Sequence, residues 1–103
     1  MEFEIKKQLL KKNIKAFVDE FKYYVAYDLC QDDEGVFGCF ISSEKNIFEC
    51  FLIEEAMFAP YKHCMLSLGY IDTGEIEYWY DTEETTIQEL LSQLNSMLQV
   101  IIN

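Results

Sequence analysis

His63 and Cys64 place the chain's only histidine beside one of its four cysteines, the one spot where a base and a thiol nucleophile adjoin. On an extended strand, however, adjacent side chains point to opposite faces, so these two cannot act on each other. His63 therefore reads as an ordinary, partly exposed histidine. With one histidine, no arginine and one tryptophan, most phosphoryl-transfer and anion-binding chemistry is excluded, since it draws on arginine or clustered lysine. Asp32-Asp33-Glu34-Gly35 offers three carboxylates and a glycine to a hard cation. If Gly35 is set at the sixth position of an EF-hand loop, Cys30 falls first and Ile41 twelfth, so the calcium template fails. Nineteen acids make any single pair of carboxylates uninformative as general acid and base. No glycine-rich phosphate loop is present. The expectation is a non-catalytic chain with no cofactor and no metal.

Cys30, Cys39, Cys50 and Cys64 form no C-x-x-C pair and follow no secretion signal, so they read as reduced, buried small hydrophobes. The N-terminus carries acids where a signal peptide has bases, and no apolar run approaches a membrane span. Both features predict a cytoplasmic protein.

Binding chemistry is better represented. The chain has seven tyrosines, eight phenylalanines and one tryptophan, more than a small core readily hides. Tyrosine and tryptophan bury large areas while keeping a polar tip, which suits interface anchors. Trp79 alternates with Glu75, Glu77 and Asp81, so one face of its strand would carry an aromatic anchor among acids. Asp72 and the Asp32, Asp33, Glu34 turn are candidate neighbours. Together these eight residues form the expected partner-binding set. The competing reading buries Trp79 under a terminal helix and leaves the acids at a sheet edge.

The elements that must position them are legible as changes of period. Phe3, Leu10, Ile14, Phe17 and Phe21 form one helical stripe, with Lys7, Lys11, Lys15 and Lys22 on another side, read as a solvated face. From Tyr23 to Cys30 the period becomes two, a first strand, followed by a turn over Gln31–Gly35. Val36–Ile41 and Ile47–Ile53 are further strands, separated by a turn at residues 42–46, with Gly38 marking a bulge or a close approach. Glu54–Pro60 reads as one turn and a crossing loop, because Pro60 disfavours helix at Ala59. His63–Ile71 and Glu75–Tyr80 are the fourth and fifth strands, joined by Asp72-Thr73-Gly74. Ile87, Leu90, Leu91, Leu94, Met97, Leu98 and Ile101 define a closing helix, with Thr85/Gln88 or Thr86/Glu89 as its capping box. The predicted architecture is a single α+β domain: a five-stranded, mainly antiparallel sheet with both terminal helices packed on one face.

Charge bounds the partner. Eight lysines oppose nineteen acids, for a net charge of -11, and five of the lysines fall within residues 1–15. Such a field repels nucleic acid and anionic membrane and attracts basic proteins. In size, charge and absence of catalytic motifs, the whole chain resembles the small acidic immunity proteins that bacteria make against their own secreted or contact-delivered toxins. That resemblance implies a cytoplasmic inhibitor of a basic nuclease toxin, with carboxylates standing where substrate phosphates would. Two other classes share features. The element order and low pI are similar to acidic chaperones of type III secretion, which are longer, dimeric and wrap an extended effector segment. A phage anti-defence protein that mimics DNA would also be small and acidic. Oligomeric state is left open by the sequence.

Overall fold

In the computed structural model, which describes residues 2–55 and 63–103, two helices cover one face of an antiparallel sheet. The order is α1 (Phe3–Glu20), β1 (Ala26–Asp33), β2 (Val36–Ser42), β3 (Asn46–Ile53), β4 (Cys64–Tyr70), β5 (Ile76–Tyr80) and α2 (Ile87–Ile102). The strands lie side by side in chain order, so β3 is central and β1 and β5 are the two edges. This is the α+β architecture expected from the changes of period.

Strand register decides which side chains meet the helices. Cys39 pairs with Cys50, Cys50 with Leu66, and Leu66 with Trp79, so these four share the helix-covered face. Phe37, Ile41, Phe48, Leu52, Cys64 and Leu68 join them there, against Leu10, Ile14 and Phe17 of α1 and Leu90, Leu94 and Leu98 of α2. Burial of these apolar side chains, at about 25 cal/mol per Å² removed from water, is the main favourable contribution to the fold. Thr86 caps α2: its hydroxyl accepts from the Glu89 N–H at 3.1 Å and donates to the Glu89 carboxylate at 3.1 Å. Thr85 is instead used in the preceding turn, where its hydroxyl accepts from the Thr82 N–H at 2.8 Å.

β1 departs from its expected limits. Tyr23 and Tyr24 fall in the turn that ends α1, and the strand runs on through Gln31, Asp32 and Asp33. The turn shrinks to Glu34 and Gly35, with Gly35 at φ +82°, a left-handed conformation that glycine adopts without strain. Two effects carry the strand past Cys30. A register shift between Leu29 and Gln31 keeps pairing in step with β2, and Lys7 and Lys11 neutralise Asp32 from above. Gly38 lies opposite this irregularity, and a Cβ there would meet the Phe51 ring at 3.3 Å. The glycine is thus the site of a close approach, and the bulge belongs to its neighbour strand. Most of the loop expected over Glu54–Pro60 lies outside the described residues.

Three expectations about burial are corrected. Cys30 is exposed, because β1 is an edge strand whose residues are all exposed; the other three cysteines are buried as expected. His63 is buried, and so is Lys7, which leaves the expected solvated face of α1 to pair with the sheet; Lys6, which belongs to the apolar stripe, is buried as well.

Candidate protein-binding face

Two constellations stand out, one closed and one open. The closed one joins Lys6, His63 and Asp81. Lys6 occupies the gap in the apolar stripe between Phe3 and Leu10 and is only 1% exposed, while Asp81 is fully buried. The Lys6 ammonium donates to Asp81 Oδ2 and lies 3.0 Å from His63 Nδ1. An ammonium only donates, so Nδ1 accepts, which puts the imidazole proton of neutral His63 on Nε2. Asp81 Oδ1 accepts from the backbone N–H groups of His63 and Cys64, both at 2.9 Å. The edge of the Phe3–His63 ring pair closes the cluster at 5.6 Å. Burial pushes the Asp81 carboxyl up, but Lys6 and the two backbone N–H groups outweigh it and hold it below the usual carboxylate range. The cluster ties the start of α1 to the start of β4 and the end of β5. Its chemistry is that of a buried staple, sealed from any substrate.

This placement removes Asp81 from any partner surface. Alternation puts Asp81 and Trp79 on one strand face, as expected, and that face is the covered one. Trp79 pairs with Leu66 and packs half-buried against the core. Glu77 follows it on the same side but lies exposed toward the far end of β5, and Glu75 is exposed in the segment just before that strand. The remaining candidates do not converge on them. Asp32–Glu34 sit on β1 and its turn, four strand spacings from β5, roughly 19 Å across the sheet. Asp72 lies in the β4–β5 turn, at the opposite end of the sheet from the β1–β2 turn. Asp32 is engaged by α1 as well: Lys11 above all, then Lys7, hold its carboxyl below the ordinary value. Lys7 also donates to the Asp33 carbonyl at 2.7 Å. Two of the acids expected to ring an anchor, Asp32 and Asp81, instead fasten the basic helix through their carboxylates.

The open constellation is the other face of the sheet. Asp28, Phe40, Glu49, Ser67 and Tyr78 form one row across all five strands; Ala26, Ser42, Ile47, Gly69 and Ile76 form the next. Among the described residues no helix covers these rows. Tyr78 is 56% and Ile76 54% exposed, and Ile47 and Tyr80 also reach solvent. Tyr78 and Tyr80 stack with ring planes 2° apart and centroids 6.2 Å apart. Among the described residues no strand contains a lysine, so the strand charges on this face, Asp28, Asp33 and Glu49, are all negative. Five of the eight lysines lie on α1, across the molecule.

Sequence reasoning missed this face because it took the apolar side of β5 to be the covered side. The clue was available: Glu49 and Ser67 interrupt otherwise apolar strands at positions that share a face with Tyr78. Lys6 was missed too, although its spacing of three and four from Phe3 and Leu10 places it within the buried stripe.

No residue cluster fit for a metal ion occurs among the described residues, and no described helix is long and apolar enough to cross a membrane. No protein-family model, curated protein or solved structure matches the chain. The functional reading therefore rests on the geometry of the open face.

Proposed function

We propose that this chain is a non-catalytic inhibitor that binds a basic protein through its uncovered sheet face, acting in the cytoplasm as an immunity protein against a cognate nuclease toxin. The observation that carries the reading is the combination on one face of exposed stacked tyrosines, exposed isoleucines and, among the described residues, strand charges that are all negative. A contiguous apolar and aromatic surface marks an interaction site, and aromatic residues supply its desolvated centre. The overall charge of -11 draws a cationic partner toward it and raises the rate of encounter. The anchors assigned by this reading are Tyr78 and Tyr80 in place of Trp79.

The test is capture of partners from host lysate at low salt, release at high salt, and titration of the recovered protein's nuclease activity. One basic nuclease, bound stoichiometrically and silenced at one equivalent, is the expected result. Recovery of an extended secreted effector on a dimer of this chain would overturn the reading in favour of a secretion chaperone. A host defence nuclease as the target would move it to the DNA-mimic class.

A further inference from the structure

Glu49 sits on the central strand, in the row between Phe40 and Ser67, as the one charged residue among the described residues in the middle of the open face. Beside it is a shallow depression of about 280 Å³, walled by Phe40, Ile47, Ile76 and Tyr78, with the exposed Glu75 as a second acid in its lining. Gly69 forms part of the floor: a Cβ there would meet the Ile47 carbonyl at 3.6 Å and Ile76 Cγ1 at 3.9 Å. The space therefore exists because that position lacks a side chain. Among the described residues none donates a hydrogen bond to the Glu49 carboxylate, and burial alone pushes its carboxyl above the ordinary value. An ionised carboxylate held in such a place lowers the stability of the free protein, which is a common signature of a group kept for binding.

We propose that this depression receives a single lysine or arginine side chain of the partner, with Glu49 as its counter-ion. The apolar walls suit the methylene stem of such a residue, Glu49 suits the cationic head, and the Tyr78 ring adds attraction through its π face. Charge complementarity selects this occupant over a second copy presenting the same face, since the acids of the two open faces would oppose each other. The inference deepens the proposed function and rests on it only for the source of the cation.

The test titrates the full-length protein with N-acetyl-lysine methylamide and N-acetyl-arginine methylamide at low ionic strength, followed by NMR. Uncharged N-acetyl-norleucine methylamide is the control. Saturable shifts are expected at Ile47, Glu49, Ser67, Gly69, Ile76 and Tyr78, with a fall in the titration midpoint of the Glu49 carboxyl at saturation. Glu49→Gln should weaken cation binding roughly tenfold or more, the scale of one lost charge-assisted hydrogen bond. Gly69→Val, which fills the depression, should abolish it while the remaining spectrum keeps its native dispersion. Equal binding of norleucine, unchanged binding by Glu49→Gln, or shifts spread evenly over the acidic turns would each overturn the proposal. So would concentration-dependent shifts of the same residues without any probe, which would give the face to a second copy. A positive titration without toxin inhibition would overturn the immunity reading alone. Inhibition undiminished in Glu49→Gln would overturn the Glu49 site alone.

Discussion

Tyr78 and Trp79 are neighbours in the chain and lie on opposite faces of the sheet: Tyr78 pairs with Ser67 on the open side, Trp79 with Leu66 on the covered side. A slip of one residue between β4 and β5 would exchange them, placing an acidic strand face in solvent on the open side and two tyrosines against the core. Register, more than composition, thus decides which aromatic residue is displayed.

The two positions should respond differently to truncation. Trp79→Ala removes a large side chain packed against the core and should destabilise the fold by about 2 kcal/mol or more. Tyr78→Ala, at an exposed position, should change stability by less than about 1 kcal/mol. Urea unfolding of both variants checks this. Equal, small effects would show that Trp79 is not part of the core.

The Lys6–Asp81 pair should behave as a buried ion pair. Asp81→Asn leaves the Lys6 ammonium buried without its counter-charge and should cost about 3–5 kcal/mol, whereas adding Lys6→Met to it, which removes the buried charge while the new amide oxygen still accepts from the His63 and Cys64 N–H groups, should recover much of that loss. The pH dependence follows from the direction of the shift. The folded Asp81 carboxyl lies below the unfolded value of about 3.9, so as pH falls the unfolded chain takes up the proton first. Its stabilising contribution is complete above about pH 5 and is lost as pH falls through the folded value. Wild-type and Asp81→Asn stabilities should therefore converge in acid. A constant difference down to low pH would contradict the assignment.

Glu49 should show the opposite sign. Its folded carboxyl lies above the unfolded value of about 4.3, so the folded chain is protonated first as pH falls, and the ionised group opposes folding at neutral pH. Glu49→Gln should raise the urea midpoint at pH 7, and the gain should shrink toward zero near about pH 4. A destabilising Glu49→Gln at neutral pH would indicate that the carboxylate is already paired.

Thiol chemistry tests the burial pattern. Hydrogen bonding with the Cys39 and Cys64 thiols, together with burial, pushes the Cys50 thiol well up, and all three are shielded from solvent. A disulfide exchange reagent should therefore modify Cys30 quickly in the native protein and the other three only on unfolding. Two or more fast thiols would show that the covered face opens.

The elements themselves were legible because their periods are clean. The α2 spacing and its Thr86 cap are local signals, and the structure follows them: the helix runs Ile87–Ile102 and buries the stripe from Leu90 to Ile101, with Ile87 exposed at its first turn. The side of each strand that faces the helices is not a local property. Ile76, Tyr78 and Tyr80 look like a core face by hydropathy, and only the pairing of Tyr78 with Ser67, and of Ser67 with Glu49, places them on the open side. Spatial neighbourhood was equally hidden. Asp32 and Asp72 read as companions of Trp79 until the strand order placed β1 and β5 at opposite edges. The buried Lys6 was obscured by its charge, although its position in the stripe was regular.

The most direct test of the open face as the binding surface compares wild type with the Tyr78→Ala/Tyr80→Ala variant for affinity toward the captured basic partner, with unfolding measured alongside. The account predicts a folded variant whose complex is weaker by more than about 2 kcal/mol and which no longer silences the partner's nuclease activity at one equivalent. Undiminished affinity and inhibition in the folded variant would contradict it.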